Sequence, residues 1–317
     1  MNRIIYPDEY FCISDLDVSK FRELTIVDEL GGFDAKLRNS NLDILFQKNK
    51  DLKIKTQYVV DERLKLNYPN LIFDRNLQEN INLSHFHDYK LHPKINHKNF
   101  LCSFNGSNHV SRKLLVLLLN KFNWFNTTTC SKNFIIENDM MQGYLFDYLD
   151  KDQERFYCKF FDLENLDFFD KIYSFEYTRF DHVANIYNLE NILTNCFVNL
   201  VSESMATSYY PFITEKFTYS VVTRGLFIGG ASPQWHEYLE KYYGFKMFRK
   251  IFDYRFDSIE NPIIRFVELF SMLSKFSILS TSDWHDLYLL EQDTIEYNYD
   301  HYFSKGYIKH LETTSTC

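Results

Sequence analysis

The sequence predicts an α/β protein of two units, each built on a parallel sheet, facing one another across a cleft. Three observations carry this. Phe100–Phe104 (FLCSF) has the length and bulk of a buried strand, Asn105, Gly106 and Ser107 form a polar turn, and Val110–Phe122 carries apolar residues at helical spacing. Cys196–Val201 (CFVNLV) is rich in β-branched and aromatic residues and starts the same alternation again. Strands separated by helices of about 10 residues need crossover connections, so they run parallel.

Taken in order, residues 2–99 mix short apolar runs (Leu42–Phe46, Tyr58–Val60, Leu71–Phe73) with charged connections, which reads as alternating strands and helices. A polar, aromatic-rich stretch follows from Asn123 to about Asp170. The change of unit is expected between Tyr157 and Ser174, giving residues 1–170 and 171–317. In the second unit Thr214 is expected to cap a helix from Glu215 to about Arg224, which Gly225 ends. Leu226–Ile228 is a short buried strand closed by Gly229 and Gly230. Ser232 is expected to cap the next helix, with Pro233 in its first turn and Gly244 as its left-handed terminus. Phe245–Phe248 then returns as a strand.

Composition sets outer bounds. With 317 residues, 45% hydrophobic and 25% charged, the chain is neither disordered nor a small stapled scaffold. The longest apolar run, Leu114–Leu119, is far short of the roughly 20 residues a membrane span needs. The opening MNRIIYPDEYF has no apolar segment behind its charge, so no secretory signal and a cytoplasmic location are expected. Six scattered cysteines without a CxxC pair read as reduced thiols. A net charge of −8 leans against capture of duplex nucleic acid. The 31 Phe and 23 Tyr, against nine Gly and six Pro, supply core material and favour A/T-rich codons, such as many viral genomes carry.

The most informative stretch is Asn199–Gly230, NLVSESMATSYYPFITEKFTYSVVTRGLFIGG. A helix N-terminus presents unpaired N–H groups and the positive end of a dipole, which suits a phosphate. Lys216 opposes that dipole in the first turn, which points to a task such as meeting an anion. On that reading Lys216→Ala should weaken anion binding and leave stability nearly unchanged. Glu215 could accept hydrogen bonds from sugar or ribose hydroxyls, and Glu203, Thr214 and Tyr219 are further donor-side candidates. The plainer alternative is a well-started helix with a solvated surface lysine.

From Val198 to about Arg265 the chain resembles the donor-binding half of glycosyltransferases related to the α1,3-fucosyltransferases, and more closely the small glycosyltransferase-like proteins of phages and large viruses. The residues that carry the resemblance are NLVSES, FITEKF, GLFIGG and YLEKYYGFKMF as they stand here. It implies two Rossmann-like domains facing a cleft (the GT-B arrangement), with the nucleotide-sugar on the C-terminal domain and the acceptor on the N-terminal one. It also implies that Lys216 meets the donor diphosphate, that Glu215 meets donor hydroxyls, and that Arg179 in SFEYTRFD lies on the phosphates. Phe217, Thr218 and Tyr219 are bulkier than the run the family usually has after its lysine.

His85, His87, His92, His97 and His109 crowd one segment. Without a second half-motif they do not read as a metal site, and no cofactor beyond the nucleotide-sugar is expected. His85, His87 or Asp88 is a candidate general base for an acceptor hydroxyl. Asn105, His109 and Arg112 flank the turn after the FLCSF strand and are acceptor-side candidates, although a surface arginine is the plainer reading of Arg112. Asp15-Leu16-Asp17 has the spacing that holds a divalent metal in single-domain transferases, but it precedes any complete nucleotide-binding unit. The expected function is metal-independent transfer of a sugar to a hydroxyl on a glycan, a protein or a modified base. A non-catalytic binding module on a degenerate transferase fold and a metal-dependent single-domain (GT-A) transferase are the alternatives.

Overall fold

Among the described residues, two four-stranded sheets organise the chain, every strand paired parallel to its neighbours. The computed structural model describes residues 2–5, 16–26, 39–56, 62–73, 86–87, 93–106, 109–134, 149–161, 171–173, 182–203 and 213–314. The first sheet holds β1 (Asn2–Ile5), β2 (Glu23–Ile26), β3 (Lys53–Thr56) and β4 (Leu71–Phe73), in that order. Helix α1 (Asn39–Lys48) precedes β3 and α2 (Glu62–Asn67) precedes β4. The expected apolar runs at Leu42–Phe46 and Leu71–Phe73 thus fall in α1 and β4, whereas Tyr58–Val60 lies outside the described residues.

The second sheet has the order β6-β5-β7-β8, with β5 (Asn99–Asn105), β6 (Cys130–Lys132), β7 (Cys196–Ser202) and β8 (Leu226–Gly230). From β5 the chain passes through α3 (Val110–Lys121) to β6 on one side. It returns through α4 (Lys151–Phe161) and α5 (His182–Asn195) to β7 on the other side, then through α6 (Glu215–Val222) to β8. The direction of winding therefore reverses between β5 and β7. At such a point the loops leaving the two carboxyl ends diverge and a crevice opens. Helix α3 packs against α8 (Pro262–Ser277), while α6 packs against α5 and α10 (Gln292–Phe303). All seven residues of β7 are buried, as a strand covered on both faces requires.

This sheet corrects one expectation. Strands β5 and β6 hydrogen-bond into the same sheet as β7 and β8, so the change of sheet falls between Phe73 and Asn99, not between Tyr157 and Ser174. The pattern change near residue 170 falls between β6 and β7, two strands of this one sheet.

Three local expectations also change. Phe245, Met247 and Phe248 are buried, but the segment forms no strand. Its backbone is paired instead by a side chain: Asn298 accepts from Lys246 N at 2.8 Å and donates to Lys246 O at 2.8 Å. Ser232 does not cap α7 (Trp235–Tyr243), whose N-cap is Gln234. The Asp257 carboxylate, from the 3₁₀ turn Tyr254–Ser258, accepts from His236 N at 3.0 Å and Glu237 N at 3.4 Å, so a distant residue does the capping. Helix α6 stops at Val222, two residues before the expected Arg224, and Arg224 is left-handed (φ 53°). Gly244 is left-handed as expected (φ 73°).

Among the described residues, much of the aromatic excess is core. Phe217 meets Phe227 and Phe245 edge-on, both at 4.9 Å between ring centroids, and Trp235 at 5.7 Å. Helices α8, α9 (Thr281–Leu290), α10 and α11 (Gly306–Thr314) complete the layer around it. No helix among the described residues is long and apolar enough to cross a membrane.

Candidate functional site

Two helices start at the carboxyl edge of the second sheet, one after β5 and one after β7, where the winding reverses. His109 is the N-cap of α3, with extended backbone and no capping bond from its side chain. One turn on, Arg112 is 3% exposed, and its Nε donates to the Ser202 carbonyl at the end of β7 at 3.2 Å. Ser111 Oγ donates to the Glu203 carbonyl at 2.8 Å. Arg112 is therefore buried, not the surface arginine that was the plainer expectation. The physical reason lies next to it in the chain. The following run Leu114–Leu119 is buried on every side, between the sheet and α8, and a helix enclosed all round also encloses its first turn.

The start of α6 is built the same way. Thr214 is the N-cap, and its hydroxyl accepts from Lys216 N at 3.4 Å. Both oxygens of Glu203 accept from Thr214 N, at 3.0 and 3.1 Å. Glu203 N donates to the Gly230 carbonyl at 3.2 Å, so this residue joins β7 to α3, α6 and β8. Lys216 Nζ lies 2.7 Å from Glu215 Oε1, and both side chains are about nine-tenths buried. Lys216 is thus not a solvated lysine.

Electrostatics tie these residues into one cluster. Burial pushes the Glu203 carboxyl up to about 7, against the opposing pull of the Thr214 N–H and the Lys216 ammonium. Burial also acts to raise Glu215, but Lys216 and Arg112 outweigh it and hold this carboxyl at about 2. Lys216 is lowered by burial and by Arg112, with Glu215 and Glu203 opposing. His109 is brought down to about 3 by burial, Arg112 and Lys216, which keeps its imidazole neutral. Two buried cations, one firmly ionised carboxylate and one carboxyl titrating near neutrality converge where two helix N-termini add their positive ends. That is a chemical environment for an anion.

The remaining expected residues fall elsewhere. Asn105 ends β5 fully buried, with Nδ2 donating to Ser131 O at 3.0 Å and Ser103 Oγ at 3.2 Å. Its Oδ1 has no hydrogen-bond partner among the described residues. Tyr219 is buried one turn into α6, edge-on to Phe86 at 5.4 Å. His87 Nε2 lies 2.6 Å from the Tyr307 hydroxyl, and its ring stacks on Tyr302 and Tyr307, on α10 and α11, so it is not part of the cluster. His85, Asp88, His92, Arg179 and Asp15 lie outside the described residues. Asp17 accepts from Ser19 N and Oγ in a local turn. Among the described residues no three His, Cys, Asp or Glu side chains are grouped as metal ligands.

Sequence reasoning missed Ser111 and Ser202, which hold the cluster through a hydroxyl and a carbonyl. Nothing in a single serine announces such a role. Comparison of the chain with protein-family models, with curated proteins and with solved structures found no match.

Proposed function

We propose that this chain is a glycosyltransferase of the two-domain GT-B type, which moves a sugar from a nucleotide-sugar to an acceptor hydroxyl. The observation that carries the reading is the convergence of Arg112 and Lys216, each in the first turn of a helix, at the reversal point between β5 and β7. A departing diphosphate gains charge as the glycosidic bond breaks, and preorganised cations with helix N-terminal N–H groups stabilise that charge. In this role Arg112 and Lys216 bind the diphosphate, while Glu215 orients Lys216 and offers an acceptor to donor hydroxyls. Arg179 is a further phosphate contact by resemblance alone. The acceptor is a hydroxyl of a glycan, a protein or a modified base, and the proposed setting is cytoplasmic. His109 is not the base that receives its proton, because burial and the neighbouring cations leave its imidazole too weakly basic.

Calorimetry of the full chain against a panel of uridine, guanosine and cytidine diphosphate sugars tests the reading, followed by a turnover assay with and without excess EDTA. Binding of one donor with release of nucleoside diphosphate supports it. Binding without turnover points to a non-catalytic binding module, activity abolished by EDTA to a metal-dependent transferase, and no binding removes the donor site.

A further inference from the structure

We propose that Glu203 is a positioning residue that takes up a proton when an anionic phosphate binds beside Arg112 and Lys216, while holding the start of α6 in either state. The inference rests on reading this edge as an anion seat, and it adds what sets the charge of that seat.

The geometry separates Glu203 from its neighbours. Its side chain is fully buried, and both of its oxygens face one N–H, that of Thr214. A carboxylate so placed cannot reach a ligand itself. It can only fix the N-cap of α6 and set the charge of the cluster. The charged and titratable groups facing it are Lys216 and Glu215 from α6, with Arg112 and His109 completing the cluster from α3. Arg112 and Lys216 carry two positive charges, and Glu215 cancels one. An ionised Glu203 adds a second negative charge beside these cations, and a protonated one does not. An arriving phosphate and an ionised Glu203 therefore compete for the same cations, and each disfavours the other.

Protonation does not release α6, because a neutral carboxyl keeps a carbonyl oxygen that accepts from Thr214 N. The titration of Glu203 near 7 places the exchange within reach of ordinary solution conditions. His109, which faces the same cations, titrates far lower and stays neutral through this range.

The test uses the full chain and sodium sulfate, whose charge is fixed between pH 6 and 8, at constant ionic strength. The parent protein should bind sulfate about tenfold more weakly at pH 8 than at pH 6, the full linkage of one group titrating near 7. Glu203→Gln, which keeps the acceptor for Thr214 N but cannot titrate, should flatten that dependence and bind more tightly than the parent at pH 8. Calorimetry at pH 7.5 in two buffers of different ionisation enthalpy should show proton uptake by the parent alone. An equal pH dependence in both proteins, or no proton uptake by the parent, overturns the role of Glu203 and leaves the anion seat standing. If neither protein binds sulfate or a nucleotide-sugar at either pH, the seat itself is wrong. Should Glu203→Gln fail to fold, the two-buffer measurement on the parent decides alone.

Discussion

Arg112 Nε donates to the Ser202 carbonyl, and Ser202 Oγ in turn donates to the Phe104 carbonyl at 2.5 Å. The guanidinium is thus tied to the end of β7, and β7 to β5, by the protein itself. Orientation that a ligand would otherwise impose is already present, which lowers the entropic cost of binding.

Arg112→Ala removes a charge and leaves a buried carbonyl without this donor. A loss of about 1–3 kcal/mol in stability is expected from the unsatisfied group. Arg112→Lys should keep much of the stability but not the orientation, because an ammonium lacks the planar fork. Urea denaturation of both variants, beside their sulfate affinities, separates the two effects. Equal stability of Arg112→Ala and the parent would place the side chain in solvent after all.

For Lys216→Ala the structure reverses the stability expected from sequence. A first-turn lysine on the surface contributes nothing to stability, whereas here its loss strands the Glu215 carboxylate in a buried site. Breaking a buried pair costs about 3–5 kcal/mol, and the nearby Arg112 should keep this case at the lower end. The double variant Glu215→Gln/Lys216→Met should recover most of that loss in a denaturation curve. A melting temperature unchanged in Lys216→Ala would show that the pair does not form in solution.

Glu203→Gln should raise the melting temperature, and by more at pH 8 than at pH 5. The sign follows from a folded-state pKa raised above the ordinary glutamate value. The folded chain holds a proton that the unfolded chain has released, so the parent loses stability as pH rises from the ordinary value through about 7. The glutamine variant is free of that slope. Melting curves at the two pH values check it, and parallel behaviour of both proteins would contradict the burial of a titrating carboxyl.

Gly225→Ala should be strongly destabilising although this glycine does not hold the left-handed conformation. An added Cβ would lie 2.2 Å from Asn199 Nδ2, a contact that the buried Asn199 side chain must move to relieve. Overpacking of this kind costs about 1–3 kcal/mol. The companion change Asn199→Ala should relieve the clash, so a denaturation double-mutant cycle with strong positive coupling is expected, and additive effects would refute the assigned contact.

By itself the sequence determined the local units of this protein. Buried strands at FLCSF and CFVNLV, the Thr214 cap and the left-handed Gly244 follow from burial, capping and turn chemistry that act over a few residues. The late helices were open to the same logic, through Asn261-Pro262 before α8 and the Ser280–Asp283 capping box before α9. Only the tertiary structure decided which strands share a sheet, because parallel pairing joins segments as far apart as Asn99 and Cys196 and leaves no local mark. It likewise decided that Asn298 pairs the backbone of Lys246, that Asp257 caps α7, and that Arg112 and Lys216 are neighbours. These two cations come from helices more than 90 residues apart, and their meeting depends on where the winding of the sheet reverses. Such a juxtaposition is set by long-range packing, which no window of sequence contains.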